Sequence, residues 1–154
     1  MPEFVSELPE WLKYIVITWL PWIELRGAIP LAVQQQEQAY LLLILLANLA
    51  IFWPGYYFLE FMYERFPEGG WVHRKLEGIR VKAHPMVEKY GVIGLAIFVA
   101  IPLPGTGAYS GTAAAWLLKM EPKKGFLAVS LGVLGAFLIV WAASEGVAAG
   151  FRLF

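Results

Sequence analysis

The heptapeptide Ile101-Pro102-Leu103-Pro104-Gly105-Thr106-Gly107 lies in the middle of a run, Tyr90 to Leu118, of 29 residues without a charged side chain. A continuous helix of that length would reach ~43 Å, well over the ~30 Å of a hydrocarbon core. Two prolines and two glycines so close together forbid a straight helix. What remains is a pair of apolar arms of about ~17 Å each, half a bilayer, which is the length a re-entrant hairpin needs.

The same plan occurs earlier in the chain. Tyr14 to Ile23 and Gly27 to Gln36 are each 10 uncharged residues, split by Glu24-Leu25-Arg26 and flanked by Pro21 and Pro30. Between and after these broken tracts come Gln38 to Leu59 and Gly125 to Ser144, with 22 and 20 uncharged residues, each long enough for a transmembrane helix. Pro54-Gly55 predicts a kink in the first of them.

The expected fold is therefore all-α and integral to the membrane, an inverted repeat of re-entrant helical hairpin plus transmembrane helix in one domain. Its parts are a hairpin over 11–36, a span over 38–60, a loop over 61–89, a hairpin over 90–118 and a span over 125–144. Such repeats are the common plan of secondary transporters.

Composition supports this. Of 154 residues, 59% are hydrophobic, and the 12 basic and 12 acidic residues cancel, which removes any basic excess for nucleic acid. The mean hydropathy is +0.60. The absence of Cys excludes a thiolate nucleophile and a disulfide framework. Met1-Pro2-Glu3 does not read as the start of a signal peptide. No Ser-His or metal-ligand cluster appears, so neither an enzyme nor a cofactor or metal is expected, and His73 and His84 read as surface residues.

Lys and Arg concentrate in 61–89 and in the loop 119–124, which places both loops in the cytoplasm if 90–118 turns back on itself. Within the longer loop, Gly70 to Lys82 interleaves Trp71, Val72, Leu76, Ile79 and Val81 with Arg74, Lys75, Arg80 and Lys82, the pattern of an amphipathic helix on the inner leaflet. Glu145 and most of the tryptophans suit interfacial positions.

Glu24 and Arg26 carry the functional argument, since an ionisable side chain at membrane depth costs at least ~2.5–3.5 kcal/mol and is by default functional or paired. Two apart, they do not face each other on a regular helix, but in a hairpin tip they can pair or point together into a polar cavity. A carboxyl there offers a proton site, and a guanidinium suits phosphate or carboxylate. In the second tip, Thr106 is a candidate N-cap, and Gly105, Thr106, Gly107, Tyr109 and Ser110 frame a half-helix N-terminus whose free N–H groups attract anions. Gly27, Pro30, Pro102 and Pro104 shape the tips. Gly107, Gly111 and Ala115, spaced by four, also suit close helix packing.

Glu24-Leu25-Arg26-Gly27-Ala28-Ile29-Pro30-Leu31-Ala32 and Ile101-Pro102-Leu103-Pro104-Gly105-Thr106-Gly107-Ala108 resemble the signatures of the small multidrug export protein family of bacterial and archaeal membranes. The repeat also resembles the DedA superfamily of lipid transporters and scramblases, some members of which recycle polyprenyl phosphate carriers. That resemblance implies Glu24 at the acidic position and Arg26 at a basic one. The chain departs from it in lacking an Arg in the second hairpin, which leaves the backbone more of the anion binding.

The expected function is a transporter or lipid flippase/scramblase in the plasma membrane of a bacterium or archaeon. It would move an amphipathic anion, a polyprenyl phosphate or phospholipid, between leaflets with protons as a coupling partner. The rival is a proton-coupled small multidrug exporter taking hydrophobic cations or other small molecules; a membrane scaffold that transports nothing is a third reading. Membrane lipids are the expected partners, and the small size favours a homodimer.

Overall fold

The computed structural model describes residues 8–62, 65, 70–103 and 106–152, and among these helix is the only regular structure. The order is α1 (Glu10–Trp19), α2 (Glu24–Gln34), a 3-10 turn (Gln38–Tyr40), α3 (Leu41–Leu49), α4 (Phe52–Met62), α5 (Trp71–Ala100), α6 (Ala108–Leu117) and α7 (Pro122–Arg152).

The first broken tract is two half-helices, α1 and α2, of 10 and 11 residues. Helix α1 stops because Leu20 precedes Pro21 and takes an extended backbone (φ −72°, ψ 122°). The chain then turns on the Leu20 carbonyl, which accepts the N–H groups of Ile23 and Glu24, each at 3.0 Å. Glu24 itself has φ +49°, a left-handed backbone that non-glycine residues seldom adopt. At the opposite end of this pair, Tyr14 is fully buried and donates to Gln35 Oε1 at 3.0 Å and to Glu37.

The second broken tract also gives two arms, 92–100 and α6, joined through Ile101–Gly107; Pro104 and Gly105 lie outside the described residues. What the sequence pattern did not anticipate is how the chain enters this pair. Residues 71–90 are not a loop with a short amphipathic segment over 70–82. They are helical from Trp71 through Pro85, and then Gly91 (φ 56°, ψ −126°) reverses the chain. The reversal folds Gly94 so tightly onto the Met86 carbonyl that a Cβ there would overlap it. The apolar stripe of this arm, Leu76, Ile79, Ala83, Met86 and Val87, packs on the protein, and Arg74, Lys75, Glu77, Arg80 and Lys82 stay exposed. Gly91→Ala should therefore lose about 1–3 kcal/mol, since that backbone is essentially glycine's alone. Gly78→Ala, with nothing near its Cβ position, should be neutral or gain up to about 1 kcal/mol of helix propensity. Thermal unfolding in detergent checks both, and equal midpoints for the two variants would contradict the reversal.

Two helical stretches are long and apolar enough to cross a membrane: Gln38–Phe61, of 24 residues, and Pro122–Gly150, of 29 residues, with mean hydropathies of 1.8 and 2.4 over an 18-residue window of each. The first is broken between α3 and α4 at Ala50-Ile51, a turn earlier than the expected kink at Pro54-Gly55. The cause is still Pro54, which has no N–H for the Ala50 carbonyl four residues before it. Helix α7 runs past the expected span at both ends, with Pro122 at its first position, where a missing N–H is harmless.

One face of α7 carries the exposed Leu127, Leu131, Leu134 and Leu138, which suits hydrocarbon and not water; another buries Ala128, Val129, Val133 and Ala136. It packs on α2, α5 and α6. Gly132 and Gly135 make this possible, because a Cβ on the former would meet Val99 and one on the latter would lie 3.1 Å from Ala100 Cβ.

Candidate functional site

The two hairpin tips meet, and Glu24 and Arg26 are where they do so. As their spacing requires, the two side chains diverge, and no ion pair joins them among the described residues. Each crosses to the other hairpin instead.

The Glu24 carboxylate, 6% exposed, accepts the backbone N–H groups of Ala108 and Tyr109, each at 3.3 Å. These are orphan donors at the positive end of α6, so the carboxylate is both a hydrogen-bond acceptor and a charge complement. Arg26 does the converse. Its guanidinium donates to the carbonyls of Val99 (3.1 Å), Ile101 (3.2 Å) and Leu103 (3.3 Å) and to Thr106 Oγ1 (3.3 Å), at the negative end of the arm 92–100. The first tip thus caps both half-helices of the second, with the sign each needs.

The remaining tip residues complete this clasp. Thr106 is not the N-cap of α6; its hydroxyl lies 2.5 Å from the Ile101 carbonyl and 2.9 Å from that of Leu103, fixing the loop that Arg26 grips. Gly107 holds the N-cap position, and its N–H donates to Ser110 Oγ at 2.7 Å. A Cβ on Gly107 would fall on the Glu24 carboxylate. The Tyr109 hydroxyl donates to the Trp19 carbonyl at 2.5 Å, tying α6 to the end of α1. Gly27 leaves room for the Ile23 side chain, Pro30 lies within α2, and Pro102 is exposed in the linker. Pro104 and Gly105 fall outside the described residues.

One consequence differs from expectation and another agrees with it. The N–H groups of Ala108 and Tyr109, expected to be free for an anion, are held by the protein's own carboxylate. The close-packing reading of the small residues holds as well, since a Cβ on Gly111 would press on Val99 and Val129.

The clasp forms one side of a groove of about 910 Å³ whose other side is the arm starting at Trp71. Arg26, Arg74, Lys75 and Lys82 line it, with Glu24 the sole acid among the lining residues. Trp22, Ile23, Trp71, Ile79 and Leu103 supply apolar surface. The ammonium of Lys75 stands 5.8 Å from the Trp22 ring and 5.6 Å from that of Trp71. The basic stripe was visible in the sequence, but nothing in its pattern joined it to the hairpin tips. The sequence reading also missed Asn48, fully buried in α3 beside Glu24. A lone Asn in a long apolar run was the signal. No group of three or more His, Cys, Asp or Glu that could hold a metal occurs among the described residues.

A family model described as "putative small multi-drug export protein" matches residues 24–139, a stretch that opens on Glu24 and takes in both tips. No curated protein and no solved structure matches the chain.

Proposed function

The chain belongs to the small multi-drug export protein family, and on that premise we propose that it is a membrane transporter whose cargo is an amphipathic anion, a lipid phosphate such as polyprenyl phosphate, moved between leaflets. The observation that carries this reading is the groove at the hairpin tips, where four cations border apolar and aromatic surface. A phosphate head group suits the Arg and Lys side chains, and its hydrocarbon tail suits Trp22, Trp71 and Leu103. The re-entrant setting of the hairpins and the inverted repeat belong to the same proposal; they fit arms of half-bilayer length whose tips meet.

The rival reading, export of hydrophobic cations in exchange for protons, needs an acid free to bind the drug. Glu24 is already engaged at α6, and an entering cation would meet Arg26, Arg74, Lys75 and Lys82. Like charges at such range are unfavourable in a site of reduced dielectric.

The test is leaflet exchange of labelled polyprenyl phosphate in liposomes holding the purified protein, compared with Arg74→Gln/Lys75→Gln/Lys82→Gln. Each lost charge-assisted contact to phosphate is worth about 1.5–3 kcal/mol before solvent screening at these exposed side chains, so the triple variant should exchange at least ~10-fold more slowly. A hydrophobic cationic dye should not be moved. Exchange unchanged in the triple variant, or faster dye export by it, would sink the anion reading.

A further inference from the structure

Asn48 is the buried polar side chain that neither hairpin uses. It is fully buried in the last turn of α3, and neither its Oδ1 nor its Nδ2 has a hydrogen-bond partner. Native interiors avoid such groups, because their lost hydration is not offset. The residue lines one small space together with Glu24, Arg26, Gly107 and Ala108, and the Nε of Arg26 is likewise unpaired.

A primary amide presents a donor and an acceptor side by side. Its complement is a neutral carboxylic acid, which accepts from the N–H and donates its O–H to the carbonyl, closing a ring of two hydrogen bonds. An ionised carboxylate satisfies only the donor half. The unpaired Asn48 amide, next to a carboxyl group, is therefore shaped for that group's protonated form.

We propose that Asn48 is the second docking position of the Glu24 side chain. Ionised, Glu24 caps α6. Protonated, it turns to Asn48 and releases the N–H groups of Ala108 and Tyr109, which with Arg26 then receive the anionic head group. This rests on the anion-cargo reading above and deepens it by making the proton the coupling ion. The balance is simple: the Glu24 carboxylate gains one proton and loses its charge, and the cargo head group takes the place it held, so the charge at the tips is unchanged when that phosphate carries one negative charge.

The groups around Glu24 are compatible with such an exchange. Arg26 lies on its own helix and stays cationic. Helix α6 presents Tyr109, whose hydroxyl is engaged by Trp19, and the arm 71–90 presents Arg74, Lys75 and Lys82 across the groove. Helix α3 contributes the uncharged Asn48, and Val99, Val133 and Ala136 are apolar.

Infrared difference spectroscopy of the purified full chain, titrated with acid in the absence of cargo, tests the pair directly. A carboxylic C=O band that is absent in Glu24→Gln is expected in the unmodified protein. In Asn48→Leu it should move to higher wavenumber, as an acid losing hydrogen bonds does. Asn48→Leu keeps the branched shape of the side chain and removes two unpaired polar atoms. Polyprenyl phosphate exchange, expected to accelerate on acidification by up to ~10-fold per pH unit for a one-proton step, should become nearly independent of pH in that variant. A band unmoved by Asn48→Leu, or an unchanged pH profile, would each overturn the proposal. A band that moves in a protein that exchanges no polyprenyl phosphate would support the Glu24–Asn48 pair and overturn the anion cargo instead.

Discussion

Arg26→Ala is expected to destabilise the protein by about 3–5 kcal/mol as well as to stop anion exchange, because a single guanidinium holds four acceptors of the other hairpin. Each charge-assisted hydrogen bond is worth about 1.5–3 kcal/mol, and four to one cation are not additive. The carbonyl of the buried Val99 would lose its guanidinium partner, those of Ile101 and Leu103 would be left to Thr106 and the loop backbone, and Glu24 would lose the nearby positive charge. Arg26→Lys should recover part of the stability, since an ammonium keeps the charge but has no planar fork to span acceptors from Val99 to Thr106. Thermal unfolding in detergent should therefore rank the native residue above Lys and Lys above Ala. Function separates the two cargo readings on the same variants: a cation site gains when Arg26 is neutralised, and an anion site fails. A fully stable Arg26→Ala would mean that the guanidinium is held ready for cargo and that its contacts to the carbonyls contribute little.

The identity of the tip residues was legible in the sequence, and their partners were not. Charge in an apolar tract marked Glu24 and Arg26, and the Pro/Gly cluster marked the second tip, because both violate what hydrocarbon tolerates. The half-helix lengths followed from counting uncharged residues, and α1, α2 and α6 agree with them. Which carbonyls Arg26 would reach is a long-range matter, 73 to 77 residues away in the chain, on which local pattern is silent. The free N–H groups predicted at α6 followed correctly from helix geometry, but geometry alone could not say that a carboxylate of the first hairpin would occupy them. Gly91 looked like any glycine of an apolar run; only its positive φ shows it as the point where the chain reverses. The reading of 61–89 as mostly loop failed for the same reason, since charged residues at helical spacing suit a solvated linker and an exposed helix face alike. In the first span, the proline was identified correctly and the break misplaced by a turn, because a proline's effect falls on the carbonyl four residues before it.

Gly107→Ala should be the single-methyl change that most disturbs the contact between the two tips, and the reason is contact and not backbone conformation. Gly107 has φ 169°, an extended backbone open to any residue, so no conformational strain accompanies the alanine. Its Cβ, however, would lie on the Glu24 carboxyl group, 2.8 Å from Cδ. Nothing can relax toward the α6 side without breaking the Ser110 cap of the Gly107 N–H. Glu24 must therefore leave the N–H groups of Ala108 and Tyr109, at a cost of about 3 kcal/mol for two charge-assisted hydrogen bonds and the local overpacking. This makes a double-mutant cycle decisive. With Glu24 already replaced by Ala, the space is empty, and Gly107→Ala should cost less than about 1 kcal/mol, leaving a coupling of about 2 kcal/mol between the positions. The unfolding midpoints of the two single variants, the double variant and the unmodified chain give that coupling directly. Costs that simply add would show that Gly107 serves its own hairpin alone and that the carboxylate is not the cap of α6. A strong coupling ties transport to the same contact, because a tip that cannot hold Glu24 has no ionised resting state from which a proton could release it.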